Sequence, residues 1–146
     1  MPVTFESEAQ REGYETLVDY VTVLGIPFVA RPDVPVLEIT YGNAPPLIMG
    51  IQTMGEDRAV VVFVSYLVKN INLTAKVMRH LLERTWSRVF GALAIDDDGW
   101  IILGHAIHTS DIGRESLADI INLLTDASEA KDLISRYGGE TVGEWS

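Results

Sequence analysis

Apolar residues recur every three or four positions near the start of the chain. Tyr14, Leu17, Val18, Val21 and Leu24 share one face, and this spacing predicts a helix over 6–24. Glu6, Glu8 and Glu12 stand early, where negative charge suits the helix dipole. Gly25 supplies a stop and Pro27 prevents continuation. Pro27, Pro32 and Pro35 then punctuate an extended connector with room for a short edge strand at Phe28–Ala30.

The period then changes to two. Leu37, Ile39 and Tyr41 alternate with Val36, Glu38 and Thr40, which predicts a half-buried strand over 36–41. Gly42-Asn43-Ala44-Pro45-Pro46 reads as a turn. Leu47–Met54 is a second strand and Gly55-Glu56-Asp57 a hairpin turn. Arg58–Val68 is a third strand, apolar on both sides: Val60, Val62, Val64 and Tyr66 oppose Val61, Phe63 and Leu67. A strand of this kind expects cover on both faces. So short a chain has little helix to spare, so part of that cover is expected from another subunit.

A second helix is predicted over 74–87, with Val77, Met78, Leu81 and Leu82 as its apolar face and Thr85 or Trp86 extending it. Asn72 or Thr74 supplies the cap. Val89–Ile95 and Trp100–Ile107 are two more strands, joined by a tight turn at Asp96-Asp97-Asp98-Gly99. Leu117, Ile120, Ile121, Leu124, Ala127, Ile134 and Tyr137 predict one long helix over 114–137, ended by Gly138-Gly139. Glu140–Ser146 reads as a flexible tail in which Trp145 is a candidate to dock. The order α-β-β-β-α-β-β-α, with short strand links, predicts an α+β domain spanning 1–146, with an antiparallel sheet of about five strands and three helices.

Composition narrows the function. There is no cysteine among the 146 residues, which removes disulfides, thiolate metal sites and cysteine nucleophiles. The net charge of −10 repels phosphate backbones and anionic membranes, so neither nucleic acid nor a membrane is an expected partner. It suits solubility, or a basic partner. Met1–Glu8 has no basic and apolar signal pattern, and no apolar run approaches the ~20 residues of a membrane span. The cytoplasm is the expected compartment.

Candidate chemistry is thin. Asp96-Asp97-Asp98 could attract a cation, but the loop lacks the alternating ligands and terminal Glu of a calcium loop. His105 and His108 lie three apart in a strand and so point to opposite faces. His80 reads as a surface residue of the second helix. No nucleophile elbow, phosphate loop or metalloprotease motif is present. No catalytic, cofactor-binding or metal residue is therefore assigned, and no cofactor is expected. Met49, Met54, Phe63, Leu81, Trp100 and Ile102 are the candidate contacts for a partner or a second copy, because methionines and aromatics are enriched where proteins meet.

The second half of the chain carries a resemblance. Asn70-Ile71-Asn72 is followed by Val77-Met78-Arg79-His80-Leu81-Leu82. Then come Phe90-Gly91-Ala92-Leu93-Ala94-Ile95-Asp96-Asp97-Asp98-Gly99, Ile101-Ile102-Leu103 and the long last helix. This order resembles the YbjN family, named as candidate bacterial sensory transduction regulators. That family shares its fold with the class I chaperones of type III secretion, which are small acidic cytoplasmic homodimers that hold an effector segment extended. The resemblance implies a non-catalytic protein-binding domain, chaperone-like or regulatory, acting as a homodimer. The alternatives are a small carboxylate- or metal-dependent enzyme and a structural subunit of a larger assembly.

Overall fold

The computed structural model describes residues 2–40, 44–88 and 90–141. Helix α1 spans Glu8–Val23. Strands β1 (Val29–Ala30), β2 (Val36–Ile39), β3 (Leu47–Thr53) and β4 (Ala59–Val68) follow. Helix α2 (Ala75–Ser87) precedes β5 (Ala92–Ile95) and β6 (Ile101–His108). A 3-10 turn at Thr109–Asp111 leads to α3 (Arg114–Leu124) and α4 (Ser128–Tyr137). The six strands form one antiparallel sheet in the order β1-β2-β3-β4-β6-β5. The α+β class and the element order are those expected, with two refinements. The edge strand at Val29–Ala30 adds a sixth strand, and the last helix is broken in two.

The break has a local cause. Thr125 ends α3, and its hydroxyl donates to the carbonyl of Ile121. Asp126 then turns its carboxylate to the Ser128 N–H at 2.8 Å, so α4 starts afresh with its own satisfied donor. That hydrogen bond also holds the Asp126 carboxyl below the usual carboxylate range. The starts of α1 and α2 are both capped by side chains, that of α2 by Thr74, one of the two caps expected. Ser7 Oγ accepts the Gln10 N–H and Thr74 Oγ1 accepts the Val77 N–H.

Helices α1, α3 and α4 lie on one face of the sheet, and α2 lies along its β5 edge. That face carries Leu37, Ile39, Leu47, Met49, Ile51, Val61, Phe63 and Leu103, each almost fully buried. Leu17 and Val21 of α1, Leu117, Ile120 and Ile121 of α3, and Leu133 of α4 close the layer. Gln10 is buried too, but its amide spans α1 and the sheet, donating to the Ile51 carbonyl at 2.8 Å. That bond removes most of the cost of burying an amide.

Glu140, expected to belong to a flexible tail, is instead paired with the sheet side of the chain. Glu140 and Lys69 exchange both backbone hydrogen bonds at 2.8 Å, forming an isolated antiparallel bridge. Gly139 makes this possible at φ +91°, because a Cβ there would meet Ile71 and Val68 side chains within 2.7 Å. The expectations for Tyr41–Asn43, Val89 and Trp145 fall outside the described residues.

Candidate protein interface

The other face of the sheet is left bare by the helices. Its register places Ile48, Val64, Gly104 and Ala92 in one row across β3, β4, β6 and β5. A second row joins Val36, Gly50, Val62 and Ala106, and a third joins Tyr66, Ile102 and Ala94. These residues are half-buried by one another or exposed. Glu38, held by Arg31 at 2.7 Å, is the charged residue on these rows. An antiparallel sheet with one wet face normally alternates apolar-in and polar-out. Here the outward face is apolar as well, which is the double pattern read in Val60–Val68.

A second apolar surface runs along α2. Met78, Leu82 and Trp86, four residues apart, are 39%, 71% and 92% exposed. The four-residue step puts them in one stripe. The opposite side, Val77 and Leu81, is buried against the core. The Thr85 hydroxyl accepts the Leu93 N–H at 2.9 Å, which seats α2 against the outer edge of β5. The expected single apolar face of α2 is thus two faces, because Val77 and Leu81 point inward while Met78 and Leu82 lie one step round the helix.

A charged cluster fixes the angle of α2 against α4. Glu129 is only 6% exposed, and its carboxylate accepts from Arg84 Nη2 and Arg88 Nη1, each at 3.1 Å. Arg136 binds Asp132 at 3.0 Å. His80 packs edge-on against Tyr137, with ring centroids 5.5 Å apart, and its Nε2 lies 3.7 Å from Asp132. His80 is therefore not the surface residue expected, since α4 folds back over it. His80, Glu129 and Asp132 offer donor atoms within 4.8 Å of one another. Three guanidinium groups already face the two carboxylates, so the group lacks the negative charge that draws a divalent cation.

The remaining candidate chemistry resolves into structure. Asp96 Oδ1 accepts the Asp98 and Trp100 N–H groups at 3.0 and 2.9 Å, and Gly99 adopts φ +85°. These carboxylates shape a hairpin turn. His105 lies on the core face beside Phe63 and Phe90, and its Nδ1 accepts the Gly91 N–H at 3.2 Å. His108 pairs opposite Val60 on the bare face, so the two histidines do point apart.

Of the six candidate contacts, three are buried. Met49 and Phe63 lie in the core with no exposed surface, and Leu81 is 4% exposed on the inner side of α2. Their size and apolarity serve the core, and burial withholds them from any partner. Ile102 lies on the bare face between Tyr66 and Ala94. Trp100 stands at the same end, edge-on to Tyr66 at 5.8 Å and under the Lys69 ammonium at 5.4 Å. Met54 is half exposed beside the β3–β4 turn. The α2 stripe was signalled by Met78, Leu82 and Trp86, but periodicity alone does not say which of two adjacent stripes meets the core.

No helix among the described residues is long and apolar enough to cross a membrane. No family model matches the chain, and no curated protein matches it in sequence. Solved structures do share its fold. A chain of the HopA1–SchA chaperone–effector complex superposes with a TM-score of 0.59 at 13% identity, over 86% of this chain and 93% of that one. YbjN, a candidate transcription regulator from E. coli, gives 0.54 at 10% identity, over 88% of this chain and 96% of that one. The chain therefore has the YbjN-like, chaperone-like α+β fold that its hairpin and flanking helices suggested.

Proposed function

We propose that this chain is a non-catalytic protein-binding domain, chaperone-like or regulatory, that acts as a homodimer paired through α2. The observation that carries the reading is the stripe of Met78, Leu82 and Trp86, with Trp86 92% exposed. An isolated exposed apolar residue is ordinary, but three in register along one helix mark an interaction site. Two such stripes pack at the ~8–10 Å separation of helix pairs. The ion pair of Arg79 and Glu83 at 2.8 Å flanks the stripe, as a polar rim flanks an apolar contact. The bare sheet face leaves a second surface for a partner. Similarity in fold to a chain of a chaperone–effector complex supports partner binding in place of catalysis.

Size-exclusion chromatography with light scattering tests the dimer directly. A mass of twice 16.1 kDa is expected, dropping to the monomer mass in Trp86→Glu and Leu82→Glu. A wild-type chain that stays monomeric at tens of micromolar would overturn the dimeric half of the proposal.

A further inference from the structure

Beside the clamp of Glu129 on Arg84 and Arg88, a cleft of about 470 Å³ opens between the ends of α2 and α3. Among the described residues its wall is Arg84, Ser87, Arg88, Phe90 and Leu123. Phe90 is half-buried and Leu123 is 41% exposed, so one side of the cleft is apolar and open to solvent. The Ser87 hydroxyl is spent on the Arg84 carbonyl at 2.9 Å. The charges in the wall are the two guanidinium groups, both positive. Glu129, which orients them, is 6% exposed and stands outside the wall. It takes the Nε and Nη2 of Arg84 and the Nη1 of Arg88. The Arg88 Nε goes to the Phe90 carbonyl. Arg84 Nη1 and Arg88 Nη2 have no acceptor among the described residues.

The surrounding charges do not reverse this sign. Two guanidinium groups against one carboxylate leave one positive charge at the cleft, on a chain that carries −10 overall. Asp126 and Lys131, next outward, offset each other. Glu83 is taken by Arg79 at 2.8 Å, and Asp119, one turn before Leu123, lies outside the wall. Unspent guanidinium donors are suited to a carboxylate, and the apolar side beside them to a hydrophobic group. We propose that this cleft receives, from a partner protein, a large apolar side chain with a carboxylate beside it. The apolar group rests on Phe90 and Leu123, and the carboxylate meets Arg84 and Arg88. With Arg84 46% exposed, the wall is too open to enclose a free small molecule. It suits a side chain carried in by a larger surface.

This site rests on the reading of the chain as a protein-binding domain, but not on its dimerisation. Arg84 follows Leu82 by two residues, so at ~100° per residue it points to the opposite side of α2 from the exposed stripe. The probe is the acetylated and amidated peptide Gly-Ser-Phe-Ser-Glu-Gly, whose phenyl ring and carboxylate reach one side of an extended backbone. Its single charge keeps repulsion from the acidic chain small. Control peptides replace its glutamate by glutamine or its phenylalanine by alanine, and phenylacetate serves as a free small carboxylate. Isotope-edited NMR titration of the full chain is expected to shift the Ser87, Phe90 and Leu123 amides and the Arg84 and Arg88 Nε–H signals, with a dissociation constant of about 0.1–1 mM. Either control peptide is expected to bind about tenfold more weakly. Arg84→Gln is expected to weaken binding roughly tenfold with the fold kept, because its own ion pair is a surface one. Leu123→Ser is expected to do the same from the apolar side, and it stands in if Arg84→Gln does not fold by circular dichroism.

Failure of the peptide to shift these signals overturns the inference, as does equal binding of either control peptide. Phenylacetate binding as tightly as the peptide gives the cleft to a small amphiphile and overturns it too. So does wild-type affinity in Arg84→Gln and Leu123→Ser, because the peptide would then be bound elsewhere. Light scattering on the same samples keeps the two readings apart. A dimer that does not bind the peptide defeats this site and leaves the α2 pairing standing. A monomer that binds it defeats the pairing and leaves this site standing.

Discussion

Replacing Glu129 by alanine tests how α2 is held. Glu129 sits at the start of α4 and receives two guanidinium groups from the end of α2. The two are not equivalent. Arg84 is 46% exposed and can turn to water when its partner is lost, so its share is that of a surface pair, about 0.5 kcal/mol. Arg88 is 17% exposed, and its remaining bond is from Nε to the Phe90 carbonyl at 3.1 Å. Losing a charge-assisted bond to a mostly buried cation costs about 1.5–3 kcal/mol. The sum for Glu129→Ala is about 2–3.5 kcal/mol, which lowers Tm by roughly 6–12 °C in a chain of this size. Urea denaturation at two fixed protein concentrations is the assay, since the proposed dimerisation would make apparent stability depend on concentration. A double-mutant cycle should give a coupling of Glu129 to Arg88 well above its coupling to Arg84. A loss below about 1 kcal/mol, or a larger coupling to Arg84, would show that burial has been misjudged as the source of the energy. Because the clamp joins α2 to α4, Glu129→Ala is also expected to weaken the proposed dimer without touching the exposed stripe.

Three further outcomes follow from local geometry. Asp126→Ala removes the acceptor at the start of α4 and should cost about 1 kcal/mol at neutral pH. Its folded carboxyl titrates below the usual range. The contribution is therefore present above the ordinary carboxylate pKa and lost as pH falls through the depressed value, so wild type and variant should converge in acid denaturation; a gap that persists near pH 2 would refute this. Gly139→Ala should cost about 2–4 kcal/mol in urea melts, from left-handed strain and a Cβ 2.8 Å from the Lys69 carbonyl oxygen. A neutral effect would mean that the bridge to Glu140 is dispensable. Thr85→Val leaves the Leu93 N–H without its acceptor and should cost about 1–2 kcal/mol, with faster exchange of that amide, and Thr85→Ser should restore both.

Much of this architecture is legible because periodicity reports burial directly. The α1 stripe of Leu17 and Val21 and the alternation in Leu37 and Ile39 are consequences of facing one apolar layer, so they predict that layer. Other features depend on partners distant in sequence. The long apolar run of Arg114–Tyr137 keeps its helical spacing across Thr125 and Asp126, so the break shows only once their side chains reach the backbone. His80 looks like a solvent residue until α4 lays Tyr137 and Asp132 over it. Met49 and Phe63 were candidate contacts because their residue types serve cores and interfaces alike, and only the side of the sheet chosen by the helices separates the two uses. The bare face itself was signalled by the doubly apolar β4, whose outer row of Val60, Val62, Val64 and Tyr66 is only half-buried among the described residues.

The hydroxyl of Thr85 has a consequence for growth of the sheet. A six-stranded sheet has two open edges, and each invites another strand to add. At the β5 edge the outward Leu93 N–H is occupied by Thr85, so an incoming strand must first displace a helix that is itself clamped to α4. At the other edge β1 is only two residues long, enough for little more than a single turn of pairing. The molecule can therefore present a broad apolar face to solvent while denying neighbours the backbone rows along which chains polymerise.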